Sequence, residues 1–214
     1  MNIVLVHGIL GFSQLDTPLT PVDYFAGVAD HLRQRFQASV VAPALDPTAG
    51  IQVRSDALRD SIRKALVSGL LNPAEPIHII AHSMGGLDSR RMISQDPTID
   101  IGPSKVRVKT LATISTPHRG SPVADVVALK FLPSIPLLAP ALDGAEAALG
   151  KVLAHFRISL DGLHDLTTES AEHFNAAYLD QASVRYLSFA GKGRPAPMLP
   201  TSAFFMPYYA TTQG

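Results

Sequence analysis

The chain has 214 residues, of which 46% are hydrophobic and 17% are charged, and its 18 basic residues balance its 18 acidic residues. Its length predicts one domain with a substantial core, and its neutrality excludes the basic surface that binds nucleic acids or anionic membranes. It contains no cysteine, which excludes disulfide frameworks and thiolate metal sites.

Short apolar runs alternate with segments of helical periodicity along the chain. Largely apolar strands separated by helices are typical of a parallel sheet covered on both faces, so the pattern predicts an α/β fold. In chain order we predict a strand at 3–6, a helix over 20–36, a strand at 39–42, a helix over 53–70, a strand at 77–81, a helix over 84–94, and strands at 106–115 and 184–190.

The first residues, 1–6, are typical of a strand that runs directly into a glycine-rich turn. They lack the charged, long apolar and small-residue regions of a signal peptide, and no apolar run is long enough to span a bilayer. We therefore expect a cytoplasmic protein, or a secreted one if an export signal has been removed.

Residues 77–86 combine an apolar strand, a tight turn and the start of a helix. Ser83 lies on the turn, and Ala81 and Gly85 stand two positions to either side of it. A serine on a tight turn between a strand and a helix is typical of a nucleophile elbow, in which small neighbouring residues let the strand and the helix approach each other. The usual motif has glycine where this chain has Ala81, which is the smallest departure from it. The pattern predicts that Ser83 is a catalytic nucleophile.

A second glycine-rich turn, over residues 5–12, ends the first strand. Gly8 and Gly11 allow backbone conformations that side chains forbid, so amides in this turn can point inward. Alone, the turn is typical of any junction between a strand and a loop. Together with the Ser83 turn it predicts an oxyanion hole.

In these segments the chain resembles the true triacylglycerol lipases of bacterial family I. The resemblance implies an α/β-hydrolase fold in which residues 1–214 form a single domain. It also implies that Ser83 is the nucleophile and that the backbone amides of Ile9 and Met84 form the oxyanion hole. The matching segments follow the family's order and span nearly the whole chain: 5–12, 81–86, 111–121, 166–169, 173–175 and 184–189.

Three histidines near the predicted strand ends are interpreted as structural. We expect His82 to give packing or hydrogen-bonding support, because its position on the turn directs it away from the Ser83 hydroxyl. We expect His7 to anchor its loop and His118 to belong to a polar contact network. If a base did lie within the chain, His118 would be the first candidate.

A lid insertion is expected over about 121–178. The apolar, proline-rich stretch 131–142 and a predicted helix around 145–156 occupy the place of the family's mobile lid. A lid needs an apolar inner face to cover an acyl pocket and to lie against lipid when open. The alternative is a packed insertion that completes the core. The lid favours water-insoluble acyl esters and action at a lipid–water interface.

The rest of the catalytic triad is missing from the sequence. The hydrolase fold orders its triad as serine, acid and histidine, each at a strand end. The resemblance places the acid after the strand at 184–190, yet residues 181–214 contain no Asp, Glu or His. We therefore expect a fold that is incomplete at the C-terminus, with the acid and the histidine beyond Gly214.

No cofactor is expected for this chemistry. Many of the lipases that the chain resembles bind a structural calcium through an aspartate near the end of this sequence. Thr201 and Ser202 stand there instead, which gives calcium little support. Asp161, His164 and Asp165 resemble a metal cluster, but their segment is typical of a short surface helix, and we expect no metal there.

The leading hypothesis is a triacylglycerol lipase or carboxylesterase that acts through an acyl-enzyme on Ser83. An esterase or thioesterase acting on soluble acyl esters stays open as an alternative. A non-catalytic hydrolase-fold protein that binds a lipid or a partner also stays open, because the triad acid and histidine are not visible.

Overall fold

Six strands form one sheet in the computed structural model, which describes residues 1–9, 24–25, 27–122, 124–125 and 160–191. The strands are β1 (Asn2–Val6), β2 (Ser39–Val41), β3 (Ile77–His82), β4 (Thr98–Asp100), β5 (Lys105–Ile114) and β6 (Arg185–Phe189). The helices are α1 (Val28–Phe36), α2 (Ile51–Val67), α3 (Gly85–Gln95), α4 (Leu160–His164) and α5 (Thr168–Ala177).

The predicted, mainly parallel sheet is confirmed. Parallel pairs join the strands in the order β2-β1-β3-β5-β6, and β4 alone runs antiparallel, against the first residues of β5. The chain leaves β1 for β2 on one side and then returns to β3 on the other side of β1. This reversal makes a topological switch point between β1 and β3, and a crevice outside the carboxyl ends of such strands is where open α/β sheets bind ligands.

Strand β1 is buried on both faces, which explains its apolar run over residues 3–6. Because side chains alternate along a strand, Val4 and Val6 join one core cluster with α2 and α3. Ile3 and Leu5 join another cluster, against which α1 packs. Helices therefore cover both faces of the sheet at the strand that leads into the glycine-rich turn.

Helix α1 begins at Val28, later than predicted. Tyr24, Phe25 and Gly27 lie in turns, and Gly27 has a φ of 73°, a left-handed conformation that glycine adopts without steric cost. The predicted start at residue 20 lies outside the described residues.

The helix predicted over 53–70 rests on apolar residues at helical spacing, but the apolar residues at the two ends of that range, Val53 and Leu70, do not lie on a buried face. Val53 and Leu70 are 59% and 65% exposed, whereas Leu58 and Ile62 are fully buried. The buried face instead includes Arg54, which is also fully buried. An arginine in this position is incompatible with a simple apolar stripe, because a buried charge requires a partner.

Strand β4 was not predicted, because it is only three residues long and carries polar residues at both ends. None of the helices in the described ranges has the length and apolar character that a membrane span requires. The expected lid segments 131–142 and 145–156 lie outside the described residues, so the single domain with an insertion over 121–178 stays a prediction.

We expect Leu58→Ala to lower the free energy of unfolding by about 2–5 kcal/mol, since it leaves a cavity in the main core cluster. Val53→Ala, on the exposed face of the same helix, is the control and should change that free energy by less than about 0.5 kcal/mol. Denaturant unfolding of both variants measures the difference. Equal effects would contradict the assignment of the buried face.

Candidate active site

Ser83 lies on the turn between β3 and α3 and has a φ of 54°. A left-handed conformation is uncommon for a residue other than glycine, and such strain concentrates at functional sites. The Ser83 amide donates to the carbonyl of Ile114 at 2.9 Å, and the Thr116 hydroxyl donates to the Ser83 carbonyl at 2.8 Å. These bonds stabilise the turn on the strand–turn–helix path that the sequence predicts.

Two glycines let the chain approach Ser83 closely. A Cβ atom on Gly8 would lie 2.6 Å from the Ser83 Cβ and 3.0 Å from its Oγ. A Cβ atom on Gly85 would lie 2.7 Å from the carbonyl oxygens of Val6 and His7. The glycine-rich turn after β1 therefore packs directly against the serine turn, and any side chain at these positions would separate them.

The predicted oxyanion residues, Ile9 and Met84, lie on either side of the switch point. Val6 and Ala81 form the last pair between β1 and β3, and the chain continues from them to Ile9 and to Met84. Ile9 packs against the apolar cluster that contains the buried Met84. Among the turn and loop hydrogen bonds of the described residues, none uses the amide of Ile9 or Met84. Their role stays a prediction.

Tyr24 joins this arrangement, although nothing in the local sequence pattern predicts it. Its hydroxyl lies 2.5 Å from Nδ1 of His82 and accepts a hydrogen bond from the Gly8 amide at 3.2 Å. Burial lowers the pKa of His82. His82 therefore makes a supporting hydrogen bond, in keeping with the interpretation drawn from its position on the turn.

His7 anchors its loop and is fully buried. Its Nε2 accepts a hydrogen bond from the Leu45 amide at 3.1 Å, which leaves the proton on Nδ1, 2.9 Å from the Gly8 carbonyl. Burial lowers the pKa of His7, and the charge of Arg54 lowers it further. The imidazole is thus a neutral link between the loops after β1 and β2.

His118 belongs to a polar network, as its position after β5 suggested. Its Nε2 lies 3.0 Å from the Thr113 hydroxyl and its Nδ1 lies 3.3 Å from the Arg90 guanidinium. The Asn175 amide donates to the His118 carbonyl at 2.8 Å. Burial, followed by the charge of Arg90, lowers the pKa of this histidine. Since both ring nitrogens have partners, His118 is poorly placed to act as the base.

A buried ion pair beneath the site was not predicted. Arg54 on α2 and Asp88 in the first turn of α3 are both fully buried, and Nη2 of Arg54 lies 2.8 Å from Oδ2 of Asp88. Arg54 also donates to the carbonyls of Asp46 and His7, at 2.6 and 2.8 Å. Burial raises the pKa of Asp88 to about 7, and Arg54 opposes that rise. The one feature of the sequence that could have indicated the pair is Arg54, a charged residue on the buried face of helix α2.

The Asp161, His164 and Asp165 segment has a structural role in the described residues. Asp161 and His164 lie on the short helix α4. The Asp165 carboxylate accepts a hydrogen bond from the Ile51 amide at 2.7 Å and so satisfies a free N–H group at the start of α2. In the described ranges no group of three or more side chains could hold a metal ion.

Comparison with known proteins identifies a matching domain model and several similar lipases. Residues 49–136 match a model of the PGAP1-like alpha/beta domain. A triacylglycerol lipase of Vibrio cholerae is 32% identical in an alignment of 183 residues that covers 82% of this chain and 53% of the relative. A triacylglycerol lipase of Pseudomonas fragi is 28% identical over 182 residues, 82% of this chain and 57% of the relative. The chain spans about half the length of the curated relatives it matches.

Solved structures show the same fold. The mature form of Bacillus licheniformis lipase BlEst2 has a TM-score of 0.65 at 18% identity, over 100% of this chain and 74% of that structure. A metagenomic carboxyl esterase, MGS0156, has a TM-score of 0.63 at 18% identity, over 100% of this chain and 55% of that structure. At these identities the likeness establishes the fold alone.

We expect Gly8→Ala to lower the rate of ester hydrolysis by about 10²-fold, because a displacement of about 1 Å at a catalytic site has that effect. The added methyl group would push the turn after β1 away from Ser83. Gly191→Ala, where a Cβ atom meets nothing within 4 Å, is the control and should keep full activity. Initial rates on an activated ester measure both variants, and an active, folded Gly8→Ala protein would contradict the close packing.

We expect Asp88→Asn to flatten the dependence of stability on pH. The raised pKa of Asp88, about 7, means that the folded state holds a proton which the unfolded state releases above its lower pKa. Relative to Asp88→Asn, the wild-type protein should therefore lose stability as the pH rises from about 4 to about 7, with little further change above that. Asp60→Asn, on the exposed face of α2, is the control. Denaturant unfolding at several pH values measures the difference, and a constant difference would contradict the raised pKa.

Proposed function

We propose, from the premise that this chain is an α/β-hydrolase homologous to the triacylglycerol lipases, that it is a serine carboxylic ester hydrolase. Its proposed substrates are acylglycerol esters, which it cleaves through an acyl-enzyme. One observation carries the proposal: Ser83 has left-handed backbone at the switch point and packs against Gly8. That arrangement sets a hydroxyl beside a turn that can present backbone amides.

In the proposed reaction, the Ser83 Oγ attacks the acyl carbon of the ester while a histidine takes its proton. The carbonyl oxygen becomes an oxyanion, which the amides of Ile9 and Met84 stabilise. Removing one such donor typically lowers the rate by about 10²–10³-fold. Collapse of the intermediate expels the alcohol, which receives the proton from the histidine. Water then releases the fatty acid by the same steps, so the reaction requires no cofactor.

In this proposal, the histidine and the acid of the triad come from outside the described residues. His7, His82 and His118 lie nearest the strand ends, and each engages a ring nitrogen with a partner other than Ser83. Burial also lowers the pKa of each of these histidines, which makes them weaker bases. These contacts support a base that comes from another part of the protein.

The substrate class separates the proposal from its alternatives. A lipase should hydrolyse emulsified long-chain triacylglycerols faster than dissolved short-chain esters, whereas a soluble esterase or thioesterase should do the reverse. A binding protein would hydrolyse neither. Rates on both substrate forms, measured with the same protein preparation, distinguish these functions.

We expect Ser83→Ala to lower the rate of ester hydrolysis by several orders of magnitude, because only oxyanion stabilisation and binding would then remain. Ser115→Ala is the matched control, since Ser115 also directly follows a strand and has a left-handed φ of 51°. Both changes remove a hydroxyl from a similar backbone conformation. Hydrolysis rates and a serine-directed phosphonate label compare them. Substantial turnover by a folded Ser83→Ala protein would refute the assignment of the nucleophile.

A further inference from the structure

The Tyr24 side chain lies between the two loops that meet at the switch point. Its ring centroid is 5.7 Å from the ring centroid of His7 and 5.7 Å from that of His82. Its hydroxyl contacts the Gly8 amide at 3.2 Å and Nδ1 of His82 at 2.5 Å. One phenol group therefore contacts the turn after β1 and the last residue of β3.

The direction of the Gly8 bond follows from the chemistry of the partners: a backbone amide can only donate, so the Tyr24 oxygen accepts from Gly8. The hydroxyl proton is then available to Nδ1 of His82. With Nδ1 as the acceptor, His82 is the neutral tautomer with its proton on Nε2. Burial favours the neutral form as well, since it disfavours the charged imidazolium.

The bridge lies where the sheet no longer holds the two chains together. The ladder between β1 and β3 ends at the pair Val6 and Ala81. Gly8 and His82 come after this last pair, and Tyr24 joins them through its hydroxyl. The residue that follows Gly8 is Ile9, and the residue that follows His82 is Ser83. The phenol therefore connects the chain on which one proposed oxyanion donor lies to the chain on which the nucleophile lies.

We propose that Tyr24 is a positioning residue, which holds the amide of Ile9 at the correct distance from Ser83 through the path Gly8–Tyr24–His82. The inference rests on the proposed ester hydrolysis. Tyr24 acts through Gly8 and His82 and takes no part in bond making. Removing its hydroxyl leaves the turn after β1 in place against Gly85, but frees the Gly8 amide from its acceptor.

Tyr24→Phe is the informative change, because it removes only the oxygen. We expect kcat on a dissolved ester to fall about 10-fold while KM changes less than twofold, since oxyanion donors act mainly in the transition state. Affinity for a trifluoromethyl ketone, which forms an oxyanion on Ser83, should fall by a similar factor. Tyr186→Phe is the matched control, because the Tyr186 hydroxyl also accepts from a backbone amide, that of Gln181, at 3.0 Å.

Variants of His82 test the second half of the path. His82→Asn keeps an acceptor near the Nδ1 position and should retain most of the wild-type kcat, whereas His82→Leu should lower kcat as much as Tyr24→Phe does. Combining His82→Leu with Tyr24→Phe should cost little more than either change alone, because both interrupt one path. Hydrogen exchange of the Gly8 amide should become faster in Tyr24→Phe, and this readout does not depend on ester turnover.

The outcomes separate this inference from the proposed function. A wild-type protein that contains the triad acid and histidine, yet neither hydrolyses esters nor reacts with the phosphonate, would overturn the proposed function. An active wild-type protein together with unchanged kcat, inhibitor affinity and Gly8 exchange in Tyr24→Phe would overturn the inference alone. A purely structural role would lower the melting temperature and leave kcat and inhibitor affinity unchanged, and that result would also overturn the inference.

Discussion

The fully buried ion pair between Arg54 and Asp88 is the interaction on which the geometry of the site depends. The Arg54 guanidinium also bonds to the carbonyls of His7, after β1, and Asp46, after β2. From its position on α2, the Arg54 guanidinium therefore contacts helix α3 and both loops. Breaking a buried pair leaves an uncompensated charge that costs about 3–5 kcal/mol. The loop after β1 is thus held to the helix that starts beneath Ser83.

The strained turn at Ser83 is possible because its neighbours leave room for it. Left-handed backbone at a residue other than glycine costs on the order of 1–3 kcal/mol, and hydrogen bonds from Thr116 and to Ile114 offset part of that cost. Gly8 and Gly85 are glycines for a different reason, since a Cβ atom on either would lie within 3 Å of the opposing chain. The ion pair brings the loop near, and the glycines let it come within contact distance.

The features that could be predicted from the sequence are those that neighbouring residues encode. The apolar runs of β1 and β3 and the small residues around Ser83 are local, and they indicated the sheet and the serine turn. Local patterns could not predict the contacts of Arg54, Asp88 and Tyr24, because the partners of these residues lie far along the chain and come close only after folding. Helix α1 was predicted to start too early for a related reason: the turns at 24–25 and at 27 lack a local signal as strong as the helical pattern.

The histidines near the strand ends have structural roles, which differ from the role of the catalytic base. His7 links two loops, and His82 is hydrogen-bonded to the Tyr24 hydroxyl. His118 contacts Thr113 and Arg90. Burial lowers the pKa of each of these histidines, so each makes structural hydrogen bonds rather than carrying protons. In the proposed mechanism, β1 and β3 supply the nucleophile and the oxyanion donors, and these need fixed positions in every catalytic step. The base instead has to take up and release a proton, which requires an imidazole whose second nitrogen faces Ser83 and whose pKa is not depressed by burial.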